Sequence, residues 1–353
     1  MLNRLIQLIS TFLILFSFIF SQESKVREIY LEGPASQKSL EMSGLAWYKD
    51  ELILMPQYID YDDPAFYAIP KAKINRWLSQ KSPSPILPDK IRLDAPDFRN
   101  TIKGYQGFEA VCFDGNTIYL IIESKHENLM KSFIVKGRIK RKKGIIIIDE
   151  DSLSEIEIPI NIKNMGYESV AKYKNRILVF FEAYGKNINS KPEIISFDKS
   201  LKKSKTIAFD NLEYRLTDVT SVDKEGKFWA INFFWPGEAK RLKPAADNIL
   251  NNTNKGKTHS LFDHVERLVE YEIHKDQVKR SSAKAIQLSI NKESRNWEGV
   301  ARLDNKGFLQ PIHKRQSMIR NISNIFHRIN LSEQEIRILL GIFSTLNDFN
   351  RKS

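Results

Sequence analysis

The most constraining feature of this sequence is a hairpin pattern written five times. The segments "SGLAWYKDELILMPQ" from Ser43, "EAVCFDGNTIYLIIE" from Glu109, "ESVAKYKNRILVFFE" from Glu168, "DVTSVDKEGKFWAIN" from Asp218 and "EGVARLDNKGFLQPI" from Glu298 can be laid over one another. Each opens on an oxygen-bearing polar residue. Small and aliphatic residues follow, then a turn of Asp, Asn, Lys or Gly, then a second apolar run. Two short apolar strands around such a turn form a β-hairpin. Runs such as "TIYLII" and "RILVFF" have no polar face, as a strand packed between two neighbouring sheets requires.

Further strand candidates follow four of the hairpins: "AFYAIP" and "DKIRLD", "SFIV" and "IIIID", "EIISFD" and "KTIAFD", "RLVEYEIH" and "AKAIQLSI". Four-stranded units recurring at intervals of about 50–80 residues predict an all-β chain folded as a β-propeller. Five hairpins predict five blades, with a sixth, degenerate blade as the alternative. A β-sandwich would account for the strands but not for five equivalent hairpins. The segment "KVREIYLEG", Lys25 to Gly33, is expected to supply the outer strand of the last blade and so fasten the two ends of the ring. The long polar insertion "GEAKRLKPAADNILNNTNKGKTHS" in the fourth unit is expected to overhang one face as a surface loop or small helix.

The repeat stops matching at Leu309. Ile312 stands where a polar residue should recur, and no strand candidates follow, so the last blade is predicted to be incomplete. Residues 310–353 read as a helical tail. Ser332 and Glu335 form a capping box, and Ile336, Leu339, Leu340 and Phe343 share one helical face. From near Met318 the tail resembles the opening helices of cyclic-nucleotide-type regulators of the Crp/Fnr class. Truncation by a frameshift or fusion is the expectation that explains it. The alternative is a native helix that covers the ring.

At the other end, one early arginine, an apolar run from Leu8 to Phe20 and then small polar residues have the layout of a secretory signal peptide over residues 1–21. Cleavage after Ser21 would leave a propeller domain over 22–309, exported to the periplasm or the medium, with no membrane anchor after cleavage. An uncleaved anchor is the alternative, though the run is shorter than a comfortable membrane span. The single cysteine, Cys112, sits in an apolar run and is expected to be a small buried hydrophobe. The formal net charge of +12 comes from scattered basic residues. The densest run, Lys136 to Gly144, lies between two strand candidates and predicts a solvated hairpin tip, so the propeller is not expected to bind nucleic acid. A monomer is expected.

The first residue of each hairpin carries the chemistry. In a propeller the innermost strands line a central channel, so Ser43, Glu109, Glu168, Asp218 and Glu298 are expected to converge at one mouth. Clustered carboxylates repel unless a cation or protons neutralise them. A hard cation with oxygen ligands fits such a set, and Ca²⁺ tolerates irregular geometry. A polar residue recurs fourteen positions later in the first four hairpins: Gln57, Glu123, Glu182 and Asn232. This second ring is expected at the opposite mouth or near the outer rim. Strand-start carboxylates that merely bond backbone amides are the alternative reading.

The segments "SGLAW", "FEAVCF", "YESVAKY", "LTDVTSV" and "WEGVARL" resemble the phytase-like (esterase-like) family of exported bacterial propellers over roughly Val26 to Leu309. That resemblance implies a secreted propeller, calcium dependence and phosphoester or carboxylic-ester hydrolysis. A second resemblance is to the calcium-activated nucleotidases, propellers with serine and glutamate around a central Ca²⁺. Ser43, Glu109, Glu168 and Glu298 suit that set, with Asp218 as a departure. In an enzyme of this kind Ca²⁺ would polarise the scissile group. Glu123 and Glu182 are the candidates for general base, and Lys125 and His126 would hold an anionic group. There is no Gly-x-Ser-x-Gly elbow, phosphate loop or dinucleotide fingerprint. A non-catalytic propeller binding a glycan, peptide or protein partner is the competing function.

Overall fold

The computed structural model describes residues 23–251, 254–291, 294–304 and 307–309. Residues 1–22 and 310–353, on which the signal-peptide and helical-tail expectations and Ile312 fall, lie outside the described residues. The chain is all-β, with sheets curled like propeller blades. The first blade holds β1 (Met42–Tyr48), β2 (Glu51–Pro56), β3 (Ala65–Pro70) and β4 (Asp89–Asp94), and the second holds β5 (Tyr105–Asp114), β6 (Thr117–His126), β7 (Leu129–Lys140) and β8 (Ile145–Ile156). The third contains β9 (Tyr167–Tyr173), β10 (Arg176–Phe181), β12 (Glu193–Phe197) and β13 (Lys203–Phe209). The short β11 (Ala183–Tyr184) pairs forward onto the fourth blade, made of β14 (Leu212–Val219), β15 (Lys227–Phe234), β16 (Val265–His274) and β17 (Gln277–Arg280). Residues Ile286–Gln287 (β18) pair back onto β16. A two-stranded hairpin, β19 (Ala301–Arg302) with β20 (Phe308–Leu309), follows, and the described residues show no strand after it.

The turns explain why these segments fold as hairpins. β1–β2, β5–β6, β6–β7, β9–β10 and β16–β17 are each joined by two residues, the first with positive φ: Lys49 54°, Gly115 60°, Glu127 56°, Lys174 53° and Lys275 50°. A left-handed first residue matches the right-handed twist of the flanking strands. Between blades, the apolar faces predicted from "TIYLII" and "RILVFF" are fully buried. Tyr184, Phe209, Tyr271 and Phe228 stack in series through the core of the third and fourth blades, with centroids 4.3, 4.8 and 5.7 Å apart. Cys112 is buried there as expected, and burial pushes its thiol pKa up.

The inner segments touch in cyclic order. β1 packs on β5, β5 on β9 and β9 on β14. Asp218 then takes the Val300 amide at 2.6 Å. Gly299, with φ at 68°, lies so close to the first strand that a Cβ there would come within 3.0 Å of Leu45 N. The outer strands add a second link that the sequence pattern did not suggest. β4 pairs in parallel with β8, through Arg92–Ile145 to Asp94–Ile147, and β13 pairs in parallel with β17.

Two expectations are corrected. The fourth strand of the fourth blade is not "AKAIQLSI" but "QVKR", because the tight turn at Lys275 returns the chain at once. Among the described residues, the segment 25–33 pairs with no strand of the last blade. It runs as a strap between two parallel bridges, Ser24–Leu288 beside the fourth blade and Leu31–Ile86 on the first. At its start Glu23 accepts hydrogen bonds from Thr258 N, Thr258 Oγ1, His259 N and His259 Nδ1 at 2.8–3.0 Å. Among the described residues, the ends are fastened by a strap on the polar insertion and not by a shared strand.

Candidate functional site

Antiparallel pairing decides where the two predicted rings meet. The first residue of a hairpin and the one fourteen positions later face each other across it. Leu216 pairs with Asn232, Gly107 with Glu123, and Met42 with Pro56 beside Gln57. The second ring therefore lies at the same mouth as the first, one step outward, and not at the opposite end.

All five first-ring residues are buried, and each has a partner within the protein. Ser43 Oγ donates to Phe108 O at 2.7 Å. Glu109 accepts from Gln57 Nε2 at 2.6 Å. Asp218 accepts from the Val300 amide, and Glu298 accepts from Asn296 Nδ2 at 3.0 Å. Both oxygens of Glu168 face Arg215 Nη2, at 3.4 and 3.5 Å.

Arg215 is the residue that the sequence reading missed. Its Nε donates to Glu182, its Nη1 lies 3.7 Å from Glu238 Oε1, and the same Nη1 donates to Asn296. Glu238 comes from the polar insertion and is held from its other side by Arg241. The insertion thus overhangs the mouth as expected, and it delivers a carboxylate to it. Just before Arg215, Tyr214 takes a left-handed φ of 75° and stacks on Phe234 at 4.4 Å. That irregularity breaks strand alternation, so that Arg215, Leu216, Thr217 and Asp218 are all buried in succession.

The electrostatics follow from crowding. Burial first, and then the carboxylates Glu168, Glu238 and Glu123, push Glu182 well above the usual carboxylate range, although Arg215 works the other way. Burial also raises Asp218, with Glu168 and Glu298 adding to it against backbone hydrogen bonds from Val300 and Val219. Burial alone would weaken the charged form of Arg215, but Glu182, Glu168, Glu238 and Glu298 together hold it charged. Among the buried oxygens that find no hydrogen-bond partner among the described residues are Glu182 Oε2, Glu238 Oε2 and Gln57 Oε1.

Among the described residues no three His, Cys, Asp or Glu side chains converge on one point. Ser43 and Asp218 spend their polar atoms on backbone, and the cation among the glutamates is a guanidinium. As disposed here, the first ring does not fit a calcium ion.

Of the predicted catalytic pair, Glu182 is fully buried and tied to Arg215. In this arrangement it cannot meet a substrate. Glu123 is half-buried and sits against Gly166, where a Cβ would fall 2.7 Å from its Oε1. Lys125 and His126 are not drawn into the cluster. Lys125 Nζ donates to Asn164 Oδ1 at 2.7 Å, and His126 ends β6 opposite Leu129 at a hairpin tip. The signal for Arg215 was visible but faint, a lone basic residue inside a run that otherwise reads as a buried strand.

No protein-family model matches the sequence, and no curated protein matches it. The phytase-like resemblance stands on its short motifs alone. Among solved structures the chain is similar to a glycosyl hydrolase from Bacteroides ovatus, with 7% identity and TM-score 0.41, covering 77% of this chain and 80% of that one. It is also similar to a GH43 endo-arabinanase from Bacillus licheniformis, with 8% identity and TM-score 0.40, covering 77% and 86%.

Proposed function

We propose that the protein is an exported β-propeller hydrolase that cleaves a neutral, hydroxyl-rich substrate, a glycoside, at the acidic mouth. The excess of carboxylate there carries this reading. Glu168, Glu182, Glu238 and Glu298 lie around Arg215, with Arg241 behind Glu238. A phosphate brought among them would meet repulsion of about 4 kcal/mol per close charge pair at an effective dielectric constant of about 20. Without a bound metal, that disfavours the phosphoester reading. A neutral glycoside carries no such penalty, and its cleavage needs two carboxyl groups, one to protonate the leaving oxygen and one to act as base or nucleophile. Glu123, the more accessible carboxylate, is assigned as the acid, and Glu168 as its partner. Glu182 acts through Arg215 as a positioning residue.

The test is turnover by the protein from Gln22 onward, on a panel of 4-nitrophenyl glycosides beside 4-nitrophenyl phosphate and acetate. Glycoside cleavage that Glu168→Gln abolishes supports the reading. Turnover of the phosphate ester instead sinks it. The near-complete burial of the carboxylates favours a second reading, a non-catalytic glycan-binding platform, and saccharide binding without turnover would select that one.

A further inference from the structure

We infer that Trp235 is a stacking platform for a sugar ring at the rim of the acidic mouth. The ligand class rests on the glycoside reading above; the platform itself rests on local geometry.

Exposure alone would say nothing, since single apolar side chains are common on protein surfaces. Trp235 differs in how it is held. It is 46% exposed, whereas Trp77 and Trp297 are buried and Trp47 and Trp229 partly so. It follows directly on Phe234, at the end of β15 where Asn232 and Arg215 lie. Its indole rests against Gly237: a Cβ on that glycine would sit 2.2 Å from two carbons of the six-membered ring. Only a residue without a side chain leaves that space, so one side of the indole is seated on backbone while almost half its surface stays open. Pro236 opens the short 3-10 turn Pro236–Glu238 with its fixed φ, and the Glu238 amide closes it by donating to Trp235 O at 2.9 Å.

The turn therefore links the exposed indole to the acidic mouth. The residue that caps it, Trp235, stays 46% exposed. The last residue of the turn places a buried carboxylate 3.7 Å from Arg215, with the second oxygen, Oε2, unmatched among the described residues. A pyranose ring suits the exposed indole, because its C–H face stacks on an aromatic ring; Glu238, buried as it stands, anchors the turn through Arg215 and Arg241. An indole already seated against Gly237 has less side-chain freedom to lose on binding than a fully free one.

The experiment is a tryptophan-fluorescence titration of the protein from Gln22 onward with cellotetraose, xylotetraose, mannotetraose and chitotetraose. At least one is expected to give a saturable change. Trp235→Ala should weaken that binding by about tenfold, with Trp235→Phe in between, the variants being followed by calorimetry. Gly237→Ala should weaken it too, with the tryptophan still present, because its Cβ displaces the ring. Unchanged binding in both Trp235→Ala and Gly237→Ala overturns the platform, as does a failure of all four saccharides to bind. An unshifted thermal midpoint in each variant excludes misfolding. The two readings fail separately. Binding that depends on Trp235 without turnover keeps the platform and removes the hydrolase. Turnover with KM unmoved by Trp235→Ala keeps the hydrolase and removes the platform.

Discussion

The molecule holds two buried charged networks, and they are finished differently. At the strap, Glu23 receives four donors, and His259 Nε2 takes the Glu266 amide at 3.3 Å. Glu266 in turn takes Arg295 N, Arg295 Nε and Trp297 Nε1. Arg267, fully buried, is matched by Asn232 Oδ1 and both oxygens of Asp247. None of these atoms lacks a partner. At the mouth, one guanidinium serves three glutamates, and two of those glutamates keep an unmatched oxygen. A buried polar network that is complete fixes structure, while one left incomplete costs stability and needs another reason to exist. The strap network is a fastening, and the mouth is the network left incomplete.

The largest effect that would break this contrast is removal of the mouth's cation. Arg215→Met leaves Glu168, Glu182 and Glu238 buried together and should cost about 3–5 kcal/mol in urea unfolding. Adding Glu182→Gln should recover part of it. If the single substitution is silent, the mouth is wetter or less charged than described. Next in size, Glu23→Ala strips the acceptor from Thr258 and His259 and should cost about 1–3 kcal/mol, with the strap exchanging amide hydrogens faster.

A pH series sharpens the comparison, because the two networks have opposite signs. Burial holds His259 below its ordinary value of 6.5, so the folded state binds fewer protons there than the unfolded chain. Burial works to raise Glu23, but the hydrogen bonds from His259 and Thr258 hold it below 4.5. The strap's contribution is therefore present at neutral pH and lost as pH falls, first below 6.5 through His259 and then below 4.5 through Glu23. Glu182 is raised, so its folded state binds more protons, and stability declines as pH rises above 4.5. Glu182→Gln should remove that decline and raise the neutral-pH melting point by about 2–4 °C. An unchanged alkaline limb would mean that Glu182 is not strained by its neighbours. The smallest expected effect is that of metal: EDTA and added Ca²⁺ should leave the melt where it is. A Ca²⁺-selective rise abolished by Glu109→Gln and Glu168→Gln would restore calcium to the ring.

Much of the fold was legible because hairpins are local. The polar starts at Ser43, Glu109, Glu168, Asp218 and Glu298, the apolar second strands and the turn residues all lie within a few positions of one another. Gln57, Glu123, Glu182 and Asn232, expected at the opposite mouth or near the outer rim, lie one step outward at the same mouth, because a hairpin returns the chain to the end where it began. Arg215 could not be found that way. Its partners lie on different blades and on the insertion, and nothing in "LEYRLTDV" says that an insertion residue, Glu238, will come to meet it. The strap was misassigned for a related reason. "KVREIYLEG" has the composition of a strand, but its fate is set by Glu23, whose partners at Thr258 and His259 are more than two hundred residues away.

The parallel pairing of β4 with β8 and of β13 with β17 has a consequence beyond architecture. The rim of a blade normally ends in a strand whose outward N–H and C=O groups are unspoken for, ready to pair with another copy of the chain. Here the rims of neighbouring blades occupy one another over Arg92–Asp94 and Ile145–Ile147, and again at Ala208–Phe209 against Gln277–Val278. Aggregation by strand addition is blocked at these places by hydrogen bonds already made, so resistance to it does not rest on surface charge alone.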